Sequence, residues 1–244
     1  MIKVYTPSSP LSDYISCCWS LDTPRSGHTE LVYPTGKMQL IFHYKKPFTD
    51  KSSSGAEYVQ PQYALCGQKT SYSHITAAGD SGMIGAVFLP YAASALFPMP
   101  LCEVAGLTVS FTDIFREWKN HEGEFSGCTD DNARIMVIEK FLIPRINTNP
   151  SCHYYFARSC VNEIINGGWL FPPYNTMEKF SLSERSLQRI FRDHIGIPPK
   201  RYAEIVRLEN SIALFSRGKT MTDVCHEAGY YDQPHFINSF KKFT

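Results

Sequence analysis

The chain has little net charge, no paired-cysteine motif and no long apolar leader. It holds 24 Lys and Arg against 23 Asp and Glu, a formal net of +1, so it is not a uniformly basic protein that coats nucleic acid. The charge is divided unevenly. Residues 1–150 carry 12 basic against 14 acidic side chains, and residues 151–244 carry 12 against nine, which places the basic excess in the C-terminal part. The eight cysteines (Cys17, Cys18, Cys66, Cys102, Cys128, Cys152, Cys160, Cys225) form no C-x-x-C pair and have no His at zinc spacing, so a zinc-ribbon or thioredoxin-like motif is excluded. The opening Met1-Ile-Lys-Val-Tyr-Thr-Pro has no run of signal-peptide length. Reduced thiols in a cytoplasmic protein are therefore expected, with Cys17 and Cys18 on opposite faces of a strand.

Signatures of catalysis are also missing. There is no P-loop, dinucleotide fingerprint or nucleophile elbow. A metal-binding β-barrel needs clustered His and Glu, whereas His28, His43 and His74 are scattered. No catalytic residue, metal or cofactor is expected. Residues 81–102 contain no charged side chain, a length sufficient to span a bilayer. Pro90, Pro98 and Pro100 interrupt that run and Gly82 and Gly85 loosen its start. The expected structure is a buried strand (83–89), a turn at Pro90 and a short packed helix (91–97), not a membrane segment.

With 43% hydrophobic and 19% charged residues, the composition is that of an ordinary globular protein. The first hundred residues read as β. Strands are predicted over 14–21, 37–44, 64–68, 72–77 and 83–89, with a polar loop over 47–61 and a small barrel or sandwich as the result. In the second strand Met38, Leu40, Phe42 and Tyr44 alternate with Gln39, Ile41 and His43. Helical spacing follows over 111–119, 132–142 and 154–166, the last stopped by Gly167-Gly168. Thr148-Asn-Pro-Ser151 reads as a hinge. The fold class is α+β, with a β-rich domain over 1–148 and an all-α domain over 149–244.

The C-terminal part states one plan twice. A short positioning helix (176–180) leads to Ser183, a ready N-cap, and a helix over 184–194 whose Leu187, Ile190 and Phe191 face a core. Arg185, Gln188, Arg189 and Arg192 remain outside, and Arg and Gln are the side chains that pair with guanine and adenine edges in the major groove. A second positioning helix (220–227) leads through Gly229 to Asp232, a cap, with Pro234 in the first helical turn. Phe236 and Phe240 face inward; Gln233, His235, Asn238 and Ser239 face out, and Lys241 and Lys242 are placed for phosphates. A helix over 199–216 joins the two, with Tyr202, Ile205, Leu208, Ile212 and Phe215 on one stripe. Eighteen residues at ~1.5 Å each span ~27 Å, near the ~34 Å of one DNA turn, so both outer helices fit successive major grooves.

Residues 154–243 resemble the DNA-binding domain of the AraC family of bacterial transcription regulators. The resemblance rests on Ser183-Glu-Arg-Ser-Leu-Gln-Arg-Ile-Phe191, Gly196-Ile-Pro-Pro-Lys-Arg-Tyr202, Arg207-Leu208, Asp223-Val224, Gly229-Tyr-Tyr-Asp-Gln-Pro-His-Phe236 and Phe240-Lys241. It implies base contacts from Arg185, Gln188, Arg189, Gln233, His235 and Asn238, and phosphate contacts from Arg192, Ser239, Lys241 and Lys242. Met177 and Cys225 stand where the family usually has a small Ala in each positioning helix. The sequence ends at Thr244, before the family's closing Gly-x-x-Pro-x-x-Tyr segment; a shortened chain and a natural variant both fit, and either is compatible with a weaker second unit. The N-terminal patches Tyr33-Pro-Thr-Gly-Lys-Met-Gln-Leu-Ile-Phe42, Leu65-Cys-Gly-Gln68 and Gly85-Ala-Val-Phe-Leu-Pro90 more loosely resemble the cupin-like sensor domains of such regulators.

That resemblance implies a small-molecule effector, with Trp19, Tyr33, Phe42, Tyr44, Phe88 and Tyr91 as candidate lining residues. It also implies double-stranded DNA and RNA polymerase as partners, and a homodimer as a compatible assembly. Two other functions fit parts of the pattern. One is a protein–protein adaptor derived from such a regulator. The other is a DNA-modifying or repair enzyme fused to this kind of domain, against which the unclustered N-terminal cysteines argue.

Overall fold

The computed structural model describes residues 2–23, 27–77, 79–167 and 173–243. Gly168, half of the expected stop after the 154–166 helix, lies outside them. The strands are β1 (Ile2–Tyr5), β2 (Ile15–Thr23), β3 (His28–Val32), β4 (Gln39–His43), β5 (Thr49–Ser52), β6 (Glu57–Val59), β7 (Tyr63–Cys66), β8 (Ser73–Ala77), β9 (Ser81–Phe88) and β10 (Thr108–Ser110). A six-stranded sheet runs β1-β2-β9-β4-β7-β10, and a four-stranded sheet runs β3-β8-β5-β6. The described pairings are antiparallel.

Strand alternation gives the larger sheet two different faces. From β4, Leu40 and Phe42 enter a core with the helices, whereas Ile41 faces the smaller sheet. From β9, Ile84, Ala86 and Phe88 take the helix side and Met83 the sheet side. In β2 the register slips between Ile15 and Cys17. That bulge returns Ile15 and Cys18 to one face, while Cys17 turns to the other. The helix-side core holds α1 (Phe111–Ile114), α2 (Glu122–Gly127) and α3 (Asp131–Leu142) against the sheet. Its centre is aromatic, with Phe42 and Trp118 ring centroids 4.7 Å apart.

The charge-free run forms β9, then, after Pro90, a 3-10 turn at Ala92–Ala95 in place of the expected 91–97 helix, and ends in a second 3-10 turn at Leu101–Val104. Its apolar character serves two buried packings at once. The polar stretch 47–61 is not a plain loop. It contains the β5–β6 hairpin, in which Thr49 pairs with Val59 and Lys51 with Glu57. Polar side chains conceal this hairpin in the sequence because it closes the outer edge of the smaller sheet, where one face meets solvent.

The remaining helices are α4 (Cys152–Asn166), α5 (Tyr174–Lys179), α6 (Glu184–His194), α7 (Pro199–Ser216), α8 (Met221–Glu227) and α9 (Gln233–Phe240). Among the described residues no helix is long and apolar enough to cross a membrane.

Candidate nucleic-acid interface and effector cavity

In the first helix-turn-helix unit, α5 and α6 meet at a short turn. Two backbone N–H groups of the first turn of α5 are satisfied from α4: Glu163 accepts from Thr176 N at 2.8 Å and from Asn175 N at 3.2 Å. Ser183 caps α6 by accepting from Ser186 N at 3.3 Å. Leu187, Ile190 and Phe191 are buried in the core. Arg185, Gln188, Arg189 and Arg192 are all exposed on the opposite face, so α6 offers a continuous row of hydrogen-bonding side chains.

The second unit is capped more firmly. Thr220 and Asp223 form a reciprocal capping box on α8. The turn passes through Gly229 at φ +62°, a left-handed position suited to glycine. Asp232 then caps α9, accepting from His235 N at 2.7 Å. Phe236 is buried and Phe240 packs beside it with ring centroids 5.4 Å apart. Gln233, His235, Asn238, Lys241 and Lys242 are exposed, and Ser239 is half-buried. Two of these already have neighbours. Gln233 Nε2 donates to Thr222 Oγ1 at 3.2 Å, and His235 Nδ1 accepts from Tyr231 N at 3.3 Å. His235 thus helps to shape the start of the helix as well as facing out.

The long helix α7 is common to both units. Tyr202, Ile205 and Leu208 enter the core of the first, Leu214 is buried in that of the second, and Phe215 packs against it. Arg207 was not among the candidate residues, although it lies in the Arg207-Leu208 pair of the resemblance. Its guanidinium donates to Ala228 O at 2.8 Å and to Gly229 O, and lies 3.6 Å from the Tyr230 ring centroid. It clamps the turn of the second unit onto α7. Met177 and Cys225, the departures in the positioning helices, both pack into the cores beside them.

The first unit is docked on the β-rich part. Tyr91 meets Tyr154 edge to face at 5.8 Å, and the His194 Nδ1–Ser94 Oγ contact is 2.9 Å. Burial holds the His194 imidazole below its usual pKa, with His153 adding to the shift and Asp193 opposing it. Gly36 lies against Tyr202, where an added Cβ would stand 3.1 Å from the ring.

A cavity of about 330 Å³ lies between the two sheets. Trp19, Leu21, Ile41, Ile75 and Met83 supply apolar wall, and Gln39, Gln60 and Lys69 supply polar atoms. Behind Lys69 sits the buried Asp50, 2.9 Å away. Of the six aromatics expected at an effector site, the structure brings only Trp19 to this cavity. Phe42 and Phe88 belong to the opposite face of the sheet and are wholly buried against helices. Tyr44 also packs on that side, with the Arg134 guanidinium 3.9 Å from its ring centroid. Tyr33 and Tyr91 pack at the contact with the helical part. The sequence stripe did not reveal which face of each strand meets the second sheet. Lys69 and Ile75, which line the cavity, carried no motif.

Two units of this geometry on a shared helix define a tandem helix-turn-helix domain. Comparison with known proteins agrees. Residues 177–244 match the family described as a helix-turn-helix domain, and residues 3–110 match a domain of unknown function, DUF6597. The HTH-type transcriptional activator RhaS of Pectobacterium carotovorum subsp. carotovorum is 32% identical over 83 residues, 31% of this chain and 30% of that protein. RhaS of Escherichia coli is 33% identical over 66 residues, 27% of this chain and 24% of that protein. The match therefore spans under a third of the length of these relatives. Among solved structures, ToxT from Vibrio cholerae aligns over 93% of both chains at 11% identity and a TM-score of 0.46. The AraC-like transcriptional activator CuxR aligns over 93% of this chain and 91% of its own at 14% identity and a TM-score of 0.34. Residues 177–244 thus form a helix-turn-helix domain, preceded by a β-rich part that contains the DUF6597 match.

Proposed function

We propose that the protein is a sequence-specific, double-stranded-DNA-binding transcription regulator that inserts α6 and α9 into successive major grooves. The observation that carries this reading is the shared helix α7, which contributes to the cores behind two capped helices with exposed polar faces. Arg185, Gln188, Arg189, Gln233, His235 and Asn238 read base edges, and Arg192, Ser239, Lys241 and Lys242 fix the register on phosphates. Residues 1–148 sense a small molecule in the cavity between the sheets, and residues 149–244 bind DNA. The chain acts in the cytoplasm, without catalysis, as a partner of RNA polymerase, and a homodimer is compatible with it.

Selection of bound sequences from a randomised duplex pool tests this. Two enriched boxes with centres about one helical turn apart are expected, with affinity that falls steeply with salt. One enriched box would limit base reading to a single unit. No enrichment and no salt-sensitive affinity would reject the reading in favour of a protein–protein adaptor.

A further inference from the structure

The cavity wall has both a charge pattern and a route outward. Its charged side chains are Glu30 and Lys69, and each is engaged within the chain. Lys69 Nζ is 2.9 Å from Asp50 Oδ2 and also donates to Ser73 Oγ. Asp50 in turn accepts from Tyr58 OH at 3.3 Å and from Gln60 Nε2 at 3.5 Å. A carboxylate entering beside Lys69 would compete with Asp50, which is buried and cannot leave for water. An ammonium would find Asp50 already matched by Lys69, and Glu30 already engaged within the chain. A buried charge without a counterion is strongly disfavoured. The apolar wall and the amide group of Gln39 instead suit a molecule with a neutral hydrogen-bonding group, the Gln60 amide being held already by His43 and Asp50.

The route outward begins one residue beyond Lys69. The Thr70 carbonyl accepts from Arg201 Nη2 at 2.6 Å, so the polar end of the cavity is tied directly to the start of α7. The Arg201 guanidinium also lies 4.2 Å from the ring centroid of Phe243. Phe243, just past α9, is 1% exposed and packs into the core of the first unit, not the second. One side chain therefore touches the sensor loop and the anchor of the second recognition helix.

We propose that the cavity takes an uncharged, mainly apolar ligand, and that Lys69, Thr70 and Arg201 pass its presence to the end of α9. The proposal rests on the reading of this cavity as the effector site and adds the ligand class and the positioning residue. A ligand that hydrogen-bonds at Lys69 shifts the 69–70 segment. Arg201 follows its carbonyl partner, and the hold on Phe243 changes.

The test uses the full chain without DNA and three compact probes that share one hydrocarbon cage: 1-adamantanol, 1-adamantanecarboxylic acid and 1-adamantylamine at pH 7. Amide hydrogen exchange is followed in β2, β8 and β9 and, separately, in residues 236–243. The alcohol is expected to protect the strands at a concentration about tenfold or more below the acid or the amine. It is also expected to change exchange at 236–243 in the unaltered chain but not in Arg201→Gln, which still shows the strand protection. Phe243→Ala, which keeps the Thr70 bond and removes the ring, should show the same loss and covers a folding failure of Arg201→Gln. Equal or tighter binding of the acid or amine would overturn the ligand class, and protection by none of the three would overturn the cavity as a ligand site. An unchanged 236–243 segment, or the same change in both variants, would overturn the role of Arg201. Because DNA is absent, these outcomes are independent of whether α6 and α9 read bases.

Discussion

The indole of Trp19 lies across the backbone of Gly85, its register partner on β9, and a Cβ at Gly85 would stand 2.1 Å from Trp19 Cε2. The absence of a side chain at 85 is what seats this ring flat against the sheet and leaves the cavity open. Gly85→Ala is expected to push the indole into the cavity and to cost about 1–3 kcal/mol through overpacking. Urea unfolding measures the cost, and a changed tryptophan emission reports the displaced ring. Unaltered stability and emission would show that the ring moves aside without strain.

Inside and outside on α6 separate in two substitutions. Leu187→Ala removes a fully buried side chain and is expected to cost about 2–5 kcal/mol of stability. Arg189→Ala is expected to leave the melting temperature unchanged and to weaken binding to the selected duplex by about 1–3 kcal/mol, with one base position relaxed. Equal affinity and specificity in Arg189→Ala would remove that residue from the reading face.

The second unit depends on Arg207. Arg207→Gln loses the fork that holds Ala228 O and Gly229 O and the contact with Tyr230. Footprinting is expected to show loss of protection at one box with the other retained, because the core of the first unit is built mainly from α4, α6 and α7 and Arg207 holds only the turn of the second. Loss of both boxes together would mean that the units do not act separately.

Removing the α9 cap gives a smaller effect of the same kind. Asp232→Ala leaves His235 N without its acceptor and is expected to cost about 1 kcal/mol. Hydrogen exchange in residues 233–240 should quicken more than in α6, and equal change in both would argue against a local cap.

Glu209 gives the pH dependence. Burial raises its carboxyl from 4.5 to about 7, and Lys37 only partly opposes the shift. A raised folded pKa means that the folded state binds more protons between about pH 4.5 and 7, so the stability this group contributes is lost as pH rises through that window. Glu209→Gln is expected to gain melting temperature relative to the unaltered chain from pH 5 to pH 8. A constant difference across that range would contradict the shift.

Local rules already determined the helical domain in the sequence. Ser183, Thr220 and Asp232 fix helix starts, Gly229 fixes a turn, and the spacing of Leu187, Ile190 and Phe191 fixes a buried face; all depend on residues within a few positions. The boundaries of α6 and α7 agree with the expected spans for that reason. The separation of Cys17 and Cys18 across β2 also follows from strand alternation alone.

Tertiary structure decided what the strands surround. Phe42 and Trp19 look alike in sequence as large aromatics in predicted strands. One faces helices and the other a cavity, because the pairing of the two sheets assigns a neighbour to each face. The β5–β6 hairpin, the Lys69–Asp50 pair and the contact of Arg201 with both Thr70 and Phe243 join residues up to 131 positions apart. The Arg201–Thr70 bond follows from chain closure over a long separation, and the polar hairpin and the Lys69–Asp50 pair carry no apolar period, so none of the three could be read locally. The sequence by itself therefore determined the two polar helices and their caps, whereas only the folded chain decided where a ligand-sized cavity lies and which side chain ties it to α9.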